Sequence, residues 1–221
     1  MKNSAGRLYR IINFHHAVQI FEKGELFFSH PSKWEDPYET RLIHRESHKV
    51  FSQCWCSNGV SDAMWRIYSP NHLGIRVGTS TKKLRTALEK GIKGSAKKLR
   101  MDDVSYMSQH NLNMKSQSIR DQLEGSFDVD KSIDLLFMKR EAYEHESEYR
   151  VVLIDEQPPE EGGGVSVSIN PHQVIDSILI DPRAPKELAD ALVFYFKEKI
   201  GFKKKCEKSR LYKTPMPLVV D

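Results

Sequence analysis

Several features are missing from this 221-residue chain, and each absence removes a class of protein. No apolar run approaches the roughly 20 residues that a membrane-spanning helix needs. The opening residues MKNSAGR are followed by no apolar stretch of the kind found in a secretory signal. We therefore expect a soluble, cytoplasmic protein.

Cysteine is scarce, with only Cys54, Cys56 and Cys206. An odd number of cysteines cannot form a complete disulfide framework, and free cysteines usually pack as small apolar side chains. The sequence has neither a second close cysteine pair nor histidines at zinc-finger spacing. We expect buried free thiols and no structural zinc site.

Common catalytic motifs are also absent. The sequence contains no glycine-rich phosphate loop of the Walker or Rossmann type, no Gly-x-Ser-x-Gly motif and no His-Glu-x-x-His motif. These absences disfavour NTP hydrolysis, Rossmann-type hydride transfer and zinc proteolysis. They leave open the folds that bind a dinucleotide without a Rossmann loop.

Charge is nearly balanced but unevenly distributed. The 34 Lys and Arg residues exceed the 30 Asp and Glu residues, which gives a formal net charge of +4. Basic residues concentrate in 82–100 and 197–213, whereas acidic residues concentrate in 141–161. Such runs usually cover solvated surfaces, but basic clusters can also bind nucleic acid. Both interpretations stay open at this stage.

The apolar periodicity predicts an α+β fold. Segments with strand and helix patterns are mixed without strict alternation, which is typical of a mixed or mainly antiparallel β-sheet with flanking helices. We predict a single domain over residues 1–221, with a helical insertion at about 80–145. Strands are predicted at 145–154 and 209–212.

The strongest local signal for chemistry is the run YEHESEYR at 143–150. In a strand, Glu146, Glu148 and Arg150 would lie on one face because side chains alternate with a period of two. Two acids about 7 Å apart repel each other, so the pKa of one should rise unless a cation such as Arg150 lies nearby. The pattern indicates either a solvent-facing strand or a carboxylate pair in a cleft. We favour the cleft.

Two aromatic groups could contribute to such a cleft. Trp34 and Tyr38 lie in a loop that contains Pro31 and Pro37. Met64, Trp65 and Tyr68 recur at helical spacing. For both groups, packing inside the protein is the alternative to contact with a ligand.

Taken together, these signals resemble a widespread bacterial family of uncharacterised proteins. The marks of the resemblance are 8–10 (LYR), 28–39 (FSHPSKWEDPYE), 53–55 (QCW), 63–68 (AMWRIY), 74–76 (GIR), Tyr143 with 146–150 (ESEYR), 180–183 (IDPR) and 209–212 (SRLY). The resemblance covers nearly the whole chain except about 80–130. It implies no activity, because the family has no agreed one.

The order of the motifs is more distantly similar to ADP-ribosyltransferases, including toxins that modify nucleic acids. This resemblance implies a split β-sandwich, NAD as co-substrate without a metal, and RNA or DNA as acceptor. It also implies a toxin or phage-defence role with a neutralising antitoxin protein. Residue by residue, it assigns the catalytic acids to Glu148 and Glu146 and the NAD contacts to Arg10, Ser57, Trp65 and Tyr68.

The implied roles are physically coherent. Cleavage of the nicotinamide–ribose bond builds positive charge on the ribose, which Glu148 would oppose. Arg10 would bind the pyrophosphate or neighbouring hydroxyls, and Trp65 or Tyr68 would stack on the nicotinamide. Glu146 would orient the acceptor or accept its proton. Two other functions fit the same residues. One is a non-catalytic module that binds nucleic acid or protein, and the other is a metal-dependent nuclease using Glu146, Glu148 and Asp36.

Overall fold

A computed structural model describes residues 6–159 and 163–218. Its strands are β1 (Arg7–Asn13), β2 (Glu25–Ser29), β3 (Val50–Cys56), β4 (Gly74–Ser80), β5 (Lys97–Asp103), β6 (Ser105–Met107), β7 (Met138–Arg140), β8 (Glu148–Asp155), β9 (Gly164–Ser168), β10 (Ser177–Ile180) and β11 (Lys205–Lys208). Its α-helices are α1 (Phe14–Lys23), α2 (Asp62–Tyr68), α3 (Thr81–Gly91), α4 (Gln109–Gly125), α5 (Val129–Ser132), α6 (Pro171–Val174) and α7 (Lys186–Phe194). The predicted domain of 1–221 extends beyond the described residues and stays a prediction.

Nine of these strands form one sheet, which is mainly antiparallel. The strand order is β11-β10-β4-β1-β3-β2-β9, and β8 pairs with both β3 and β5. The pairing of β10 with β11 is parallel, and so is that of β6 with β7 in a separate small sheet. The predicted α+β class, with a mixed and mainly antiparallel sheet, is therefore confirmed.

The sheet splits along one edge of β3. On its other edge, β3 pairs with β8 from Val50 to Cys56. On the split edge it pairs with β1 at Tyr9 and Cys56, and with β2 at Ser29 and Ser52. Since Tyr9 and Cys56 are the one pair that joins β1 to β3 among the described residues, these two strands diverge beyond that junction, while β1 stays paired with β4 along its whole length. An opening results between the two halves of the sheet.

Strand β8 lies between β3 and β5 in the larger half, and all of its residues are buried. Its alternate residues Tyr149, Val151 and Leu153 face the main hydrophobic core. Val152 and Ile154 pack on the opposite side in a second apolar cluster. The period of two predicted for this segment is therefore present, and it puts Glu148 and Arg150 on the face opposite the main core.

Residues 80–145 are less helical than predicted. They contain α3, α4 and α5, but β5 extends the main sheet and β6 and β7 form the small sheet. Residues 97–103, KKLRMDD, have too few β-branched side chains to indicate a strand, and β5 exists because its backbone pairs with β8. The last strand is Lys205–Lys208, which pairs with β10, and not the predicted 209–212.

Among the described residues, no helix combines the length and the apolar character that crossing a membrane would require.

Candidate functional site

A cavity of about 560 Å³ lies where the sheet splits. Its walls come from both diverging strands, since Arg10 and Ile11 of β1 and Gln53, Cys54 and Trp55 of β3 all line it. Helix α2, the loop before β3, the segment from β7 to the start of β8, and Arg76 of β4 supply the other walls. The volume lies within the range of sites that bind small molecules and cofactors.

Glu146 and Glu148 both line this cavity, but they reach it by different routes. Glu148 begins β8, whereas Glu146 ends the 3-10 helix Glu141–Glu146. Between them, Ser147 has a φ of 45°, in the left-handed region. The prediction of a strand beginning near residue 145 was therefore wrong for Glu146. The two acids nevertheless share the cavity, because the turn at Ser147 redirects the chain.

Ser57 does not line the cavity, although the resemblance assigns it a contact with NAD. It is exposed, and its backbone N–H and its hydroxyl both donate to the Ser147 carbonyl, at 2.9 and 3.0 Å. Ser57 therefore supports the turn that joins Glu146 to Glu148. Its contribution to the site is the conformation of that turn.

A buried charged cluster surrounds the acid pair. The Lys139 Nζ lies 2.5 Å from Glu146 Oε2, 3.4 Å from Glu148 Oε2 and 3.6 Å from Glu39 Oε2. Arg150 is 1% exposed and binds Glu148 through two bonds, Nε to Oε1 at 3.0 Å and Nη2 to Oε2 at 2.7 Å. Three carboxylates thus share two cations at one end of the cavity.

Arg150 is also held from other directions. Its guanidinium donates to a Glu39 carboxylate oxygen and to the Leu136 carbonyl. The Trp34 ring lies over it, with the centroid 4.2 Å from Cζ. Trp34 is thus a packing partner of the charged cluster as well as a cavity residue.

The cluster determines which acids carry charge. Burial alone would raise the pKa of Glu148, but the charge and hydrogen bonds of Arg150 and the charge of Lys139 outweigh burial and hold that pKa below its ordinary value. Burial raises the pKa of Glu39, and Arg150 and Lys139 offset this only in part. The Lys139 pKa is raised, because its three acidic neighbours outweigh burial. Glu148 is therefore ionised at neutral pH.

Arg10 lines the cavity in a different electrostatic setting. It is half-buried, and burial lowers the pKa of its guanidinium below the ordinary value, although arginine keeps its charge throughout the physiological range. Among the described residues, no carboxylate forms an ion pair with Arg10. A guanidinium without a counter-ion inside a cavity is suited to an anionic ligand.

The aromatic residues of α2 divide between core and cavity. Trp65 is 1% exposed, so its ring forms part of the cavity wall but has no open face on which a ligand could stack. Tyr68 is 43% exposed, and its hydroxyl lies 3.5 Å from Glu146 Oε1. Burial of the phenol and the nearby Glu146 charge raise the pKa of Tyr68, so it stays a donor at neutral pH. Of the two, Tyr68 is the better placed to contact a ligand.

The IDPR motif at 180–183 holds α2 in place. Asp181 is fully buried and binds Arg183, with Oδ2 2.8 Å from Nη2. Arg183 in turn donates to the carbonyls of Trp65 and Ser69 at the end of α2, at 2.8 and 2.6 Å. The Trp65 carbonyl also accepts the Ser69 N–H and the Ser69 carbonyl accepts the His72 N–H, so Arg183 adds a second donor to each. A cation at the end of a helix also interacts favourably with the helix dipole.

Replacing Asp181 with asparagine should lower the free energy of unfolding by about 2 kcal/mol at neutral pH, because Arg183 loses a charged partner. Burial would raise the Asp181 pKa, but the bonds from Arg183 outweigh it and the pKa is lowered. Its stabilisation is therefore complete above the unfolded-state pKa of about 3.9 and is lost as pH falls through the folded-state value. Urea unfolding of both proteins against pH measures this. An equal difference at every pH would contradict it.

Sequence reasoning missed several contributors to the cavity. Lys139 and Glu39 are the most important, and Arg76 also lines the wall, with Cζ 4.7 Å from the Tyr9 ring centroid. Glu39 and Arg76 lie in stretches that carry the family resemblance, so the signal for them was present. Lys139 follows an apolar run without any pattern that marks it.

The residues of the nuclease hypothesis are held by cations. Asp36 is buried and pairs with Arg140, with Oδ1 2.9 Å from Nη2, and Lys139 lies against both glutamates. Over 6–159 and 163–218, no three His, Cys, Asp or Glu side chains come together as a possible metal-binding group. The three cysteines are free thiols, Cys56 and Cys206 buried and Cys54 partly buried.

Many side chains of the basic segments are paired with acids. Lys97 pairs with Asp155 at 2.9 Å and Lys98 with Asp130 at 3.0 Å. In the second segment, Lys204 lies 3.2 Å from Asp176. Neither segment contributes a residue to the cavity wall. Part of the positive charge of both segments is therefore neutralised within the fold.

Comparisons with known proteins give a partial family match. A family model described as "Protein of unknown function (DUF2971)" matches residues 64–151, a stretch that contains most of α2, all of β7 and the start of β8. No curated protein matches the sequence.

Three solved structures of DarT from Thermus sp. 2.9 are similar to the chain. The one in complex with ADP-ribosylated ssDNA has 10% sequence identity and a TM-score of 0.45, over 96% of this chain and 98% of that chain. The complex with carba-NAD+ has 11% identity and a TM-score of 0.42, over 92% and 94%. The complex with NAD+ has 11% identity and a TM-score of 0.40, over 94% and 96%. At these TM-scores and identities, the likeness assigns neither a ligand nor a reaction to this chain.

Proposed function

We propose that this protein is an NAD-dependent ADP-ribosyltransferase that modifies a nucleic acid, RNA or DNA, and acts as a toxin or phage-defence effector with a neutralising antitoxin protein. The observation that carries the proposal is that one cavity contains an uncompensated guanidinium, Arg10, together with a buried pair of acids, Glu146 and Glu148. These are the residues to which the sequence resemblance assigns NAD binding and catalysis.

The polar groups of the cavity fit the parts of NAD. Arg10 would bind the pyrophosphate through its planar guanidinium, which suits phosphate oxygens. Tyr68 would pack against the nicotinamide with its exposed ring, next to the acids, and Trp65 would support it from the wall. Ser57 would contribute through the Ser147 turn.

The acid pair would act on the ribose and on the acceptor. In the reaction, the bond from ribose C1′ to the nicotinamide nitrogen breaks and its electrons stay with nicotinamide. A new bond forms between C1′ and a nucleophilic atom of the acceptor. Glu148, which is ionised, would oppose the positive charge that develops on the ribose. Glu146 would accept the proton that the acceptor loses.

A non-catalytic binding module is the second candidate, and one observation favours it. Both oxygens of Glu148 already accept hydrogen bonds from Arg150. A carboxylate that Arg150 holds in this way could be purely structural. NAD turnover separates the two candidates, because a binding module would bind a ligand without converting it.

Binding of NAD in the absence of metal is the direct test, and it should depend on Arg10. Replacing Arg10 with methionine should weaken binding about 10- to 100-fold, the value of one charge-assisted contact. Arg7→Met is the matched control, because Arg7 is exposed on the same strand. Titration calorimetry measures both variants. The proposal fails if the wild-type protein does not bind NAD, or if both variants bind it equally.

The acceptor is found by a separate experiment. After brief expression of the wild-type protein, mass spectrometry of total RNA, DNA and protein should find ADP-ribose on a nucleic acid. ADP-ribose on protein alone would replace the proposed acceptor class without affecting the proposed reaction.

A further inference from the structure

Lys139 is the point on which the acids of the cavity converge. It is 6% exposed, and its ammonium lies within 3.6 Å of a carboxylate oxygen of each of Glu39, Glu146 and Glu148. Burial of an ammonium group is costly unless carboxylates pair with it, and here three carboxylates do so. The arrangement therefore holds the acids in fixed positions.

The contact with Glu146 is the most distinctive of the three. Arg150 binds Glu148 and Glu39 but not Glu146. Among the described residues, Lys139 is the one cation paired with Glu146, and Tyr68 is its other side-chain partner. Without Lys139, Glu146 would face Glu148 in a buried site with no positive charge of its own.

Lys139 comes from a part of the fold outside the main sheet. It lies on β7, which pairs in parallel with β6. The Tyr143 ring, on the adjoining 3-10 helix, lies 4.7 Å from its Nζ. The small sheet thereby supplies a charge to acids that the main sheet and the Ser147 turn position. The geometry of the acid pair depends on how these two parts dock.

We propose that Lys139 is the positioning residue of the acid pair, holding Glu146 beside Glu148 so that both carboxylates point into the cavity. The expected effect of Lys139 on the reaction rate rests on the proposed transferase function. Its effect on the positions and titration of the two acids does not. The titratable and charged groups that face Lys139 or its acids from the surrounding elements are Glu39, Cys54, Cys56, Tyr68, Tyr106, Tyr143, Glu146, Glu148 and Arg150.

The kinetic test uses Lys139→Met and Lys139→Arg, with Lys186→Met as control. Lys186 is exposed and pairs with Asp190 on the surface of α7. Lys139→Met should lower kcat for NAD about 10- to 100-fold with a smaller change in KM, and the acidic limb of the pH–rate profile should move to higher pH. Lys139→Arg should recover a large part of kcat, and Lys186→Met should behave as wild type.

A second readout is independent of enzymatic activity. Carboxyl carbon signals of the glutamates, followed by NMR against pH, should show Glu148 titrating at higher pH in Lys139→Met than in wild type. Unchanged carboxyl titration overturns the positioning role. A changed titration in a protein that never consumes NAD overturns the proposed function instead, so the two failures are distinguishable.

The test must also hold if a Lys139 variant fails to fold. If Lys139→Met does not fold, Lys139→Gln replaces it, because the amide keeps two donors without the charge. If neither variant folds, the proposal is tested in the wild-type protein by the NMR signal of the Lys139 ammonium. Rapid exchange of its protons with water, without coupling to the Glu146 carboxyl, would overturn the proposal.

Discussion

Replacing Glu148 with glutamine is expected to lower the rate of NAD cleavage by about a hundredfold to ten-thousandfold in a protein that still folds. Glutamine keeps nearly the same shape and one acceptor oxygen, but it removes the negative charge. The charge is what the developing positive charge on the ribose would interact with, and this interaction strengthens as the bond breaks. The effect should therefore fall on kcat.

The cluster around Glu148 strengthens this expectation. Arg150 and Lys139 hold the pKa of Glu148 below its ordinary value against the effect of burial, so the wild-type carboxylate is charged across the physiological range. The rate of NAD cleavage by the wild-type protein should accordingly be retained as pH falls to the folded-state pKa of Glu148, and it should decline below that pH. In Glu148→Gln, the pH dependence of the rate should lack this decline, because residue 148 no longer titrates.

The measurement is nicotinamide release together with thermal unfolding. Glu144→Gln is the matched control, because Glu144 belongs to the adjoining 3-10 helix and is exposed. It should retain wild-type turnover. If Glu148→Gln cleaves NAD as fast as the control does, Glu148 is structural and the binding-module candidate gains support.

Replacing Arg150 with methionine is expected to cost about 3–5 kcal/mol in the free energy of unfolding at neutral pH. The side chain is 1% exposed and binds Glu148, Glu39 and the Leu136 carbonyl. Its removal leaves two buried carboxylates with only Lys139 to compensate them. Since these acids can take up protons, the loss should be smaller at about pH 4 than at about pH 7.

Chemical denaturation of three variants tests this expectation. Arg120→Met removes an exposed arginine that pairs with Glu124 within α4, and it should leave the free energy of unfolding close to the wild-type value. Adding Glu39→Gln to Arg150→Met should restore part of the lost stability, because one uncompensated charge is gone. A cost for Arg150→Met similar to that of the Arg120 control would mean that the buried cluster does not stabilise the fold.

The alternation within β8 shows how far the sequence could lead. A period of two predicts that Glu148 and Arg150 share a face, and they do. The pattern could not say that this face is buried, because a solvent-facing strand has the same alternation. Burial followed from β3 and β5 pairing on either side of β8 and from the loop carrying Trp34 packing over it.

Glu146 shows where local reasoning failed. Its spacing from Glu148 suggested a continuous strand, but the chain turns at Ser147 in a left-handed conformation that serine adopts uncommonly. The turn persists because Ser57, 90 residues away in sequence, donates two hydrogen bonds to it. No local pattern around residue 146 contains that information.

The sequence by itself determined the α+β class and the faces of β8, since periodicity and residue chemistry are local properties. The candidate residues Arg10, Glu146, Glu148 and Tyr68 came from the resemblance to ADP-ribosyltransferases. Only the tertiary structure decided that the sheet splits beside β3, that Lys139 and Glu39 join the acids, and that Arg10 is left without a counter-ion. Ion pairing and burial depend on elements that meet across long separations in the chain, and their energies depend on the surroundings that this packing creates.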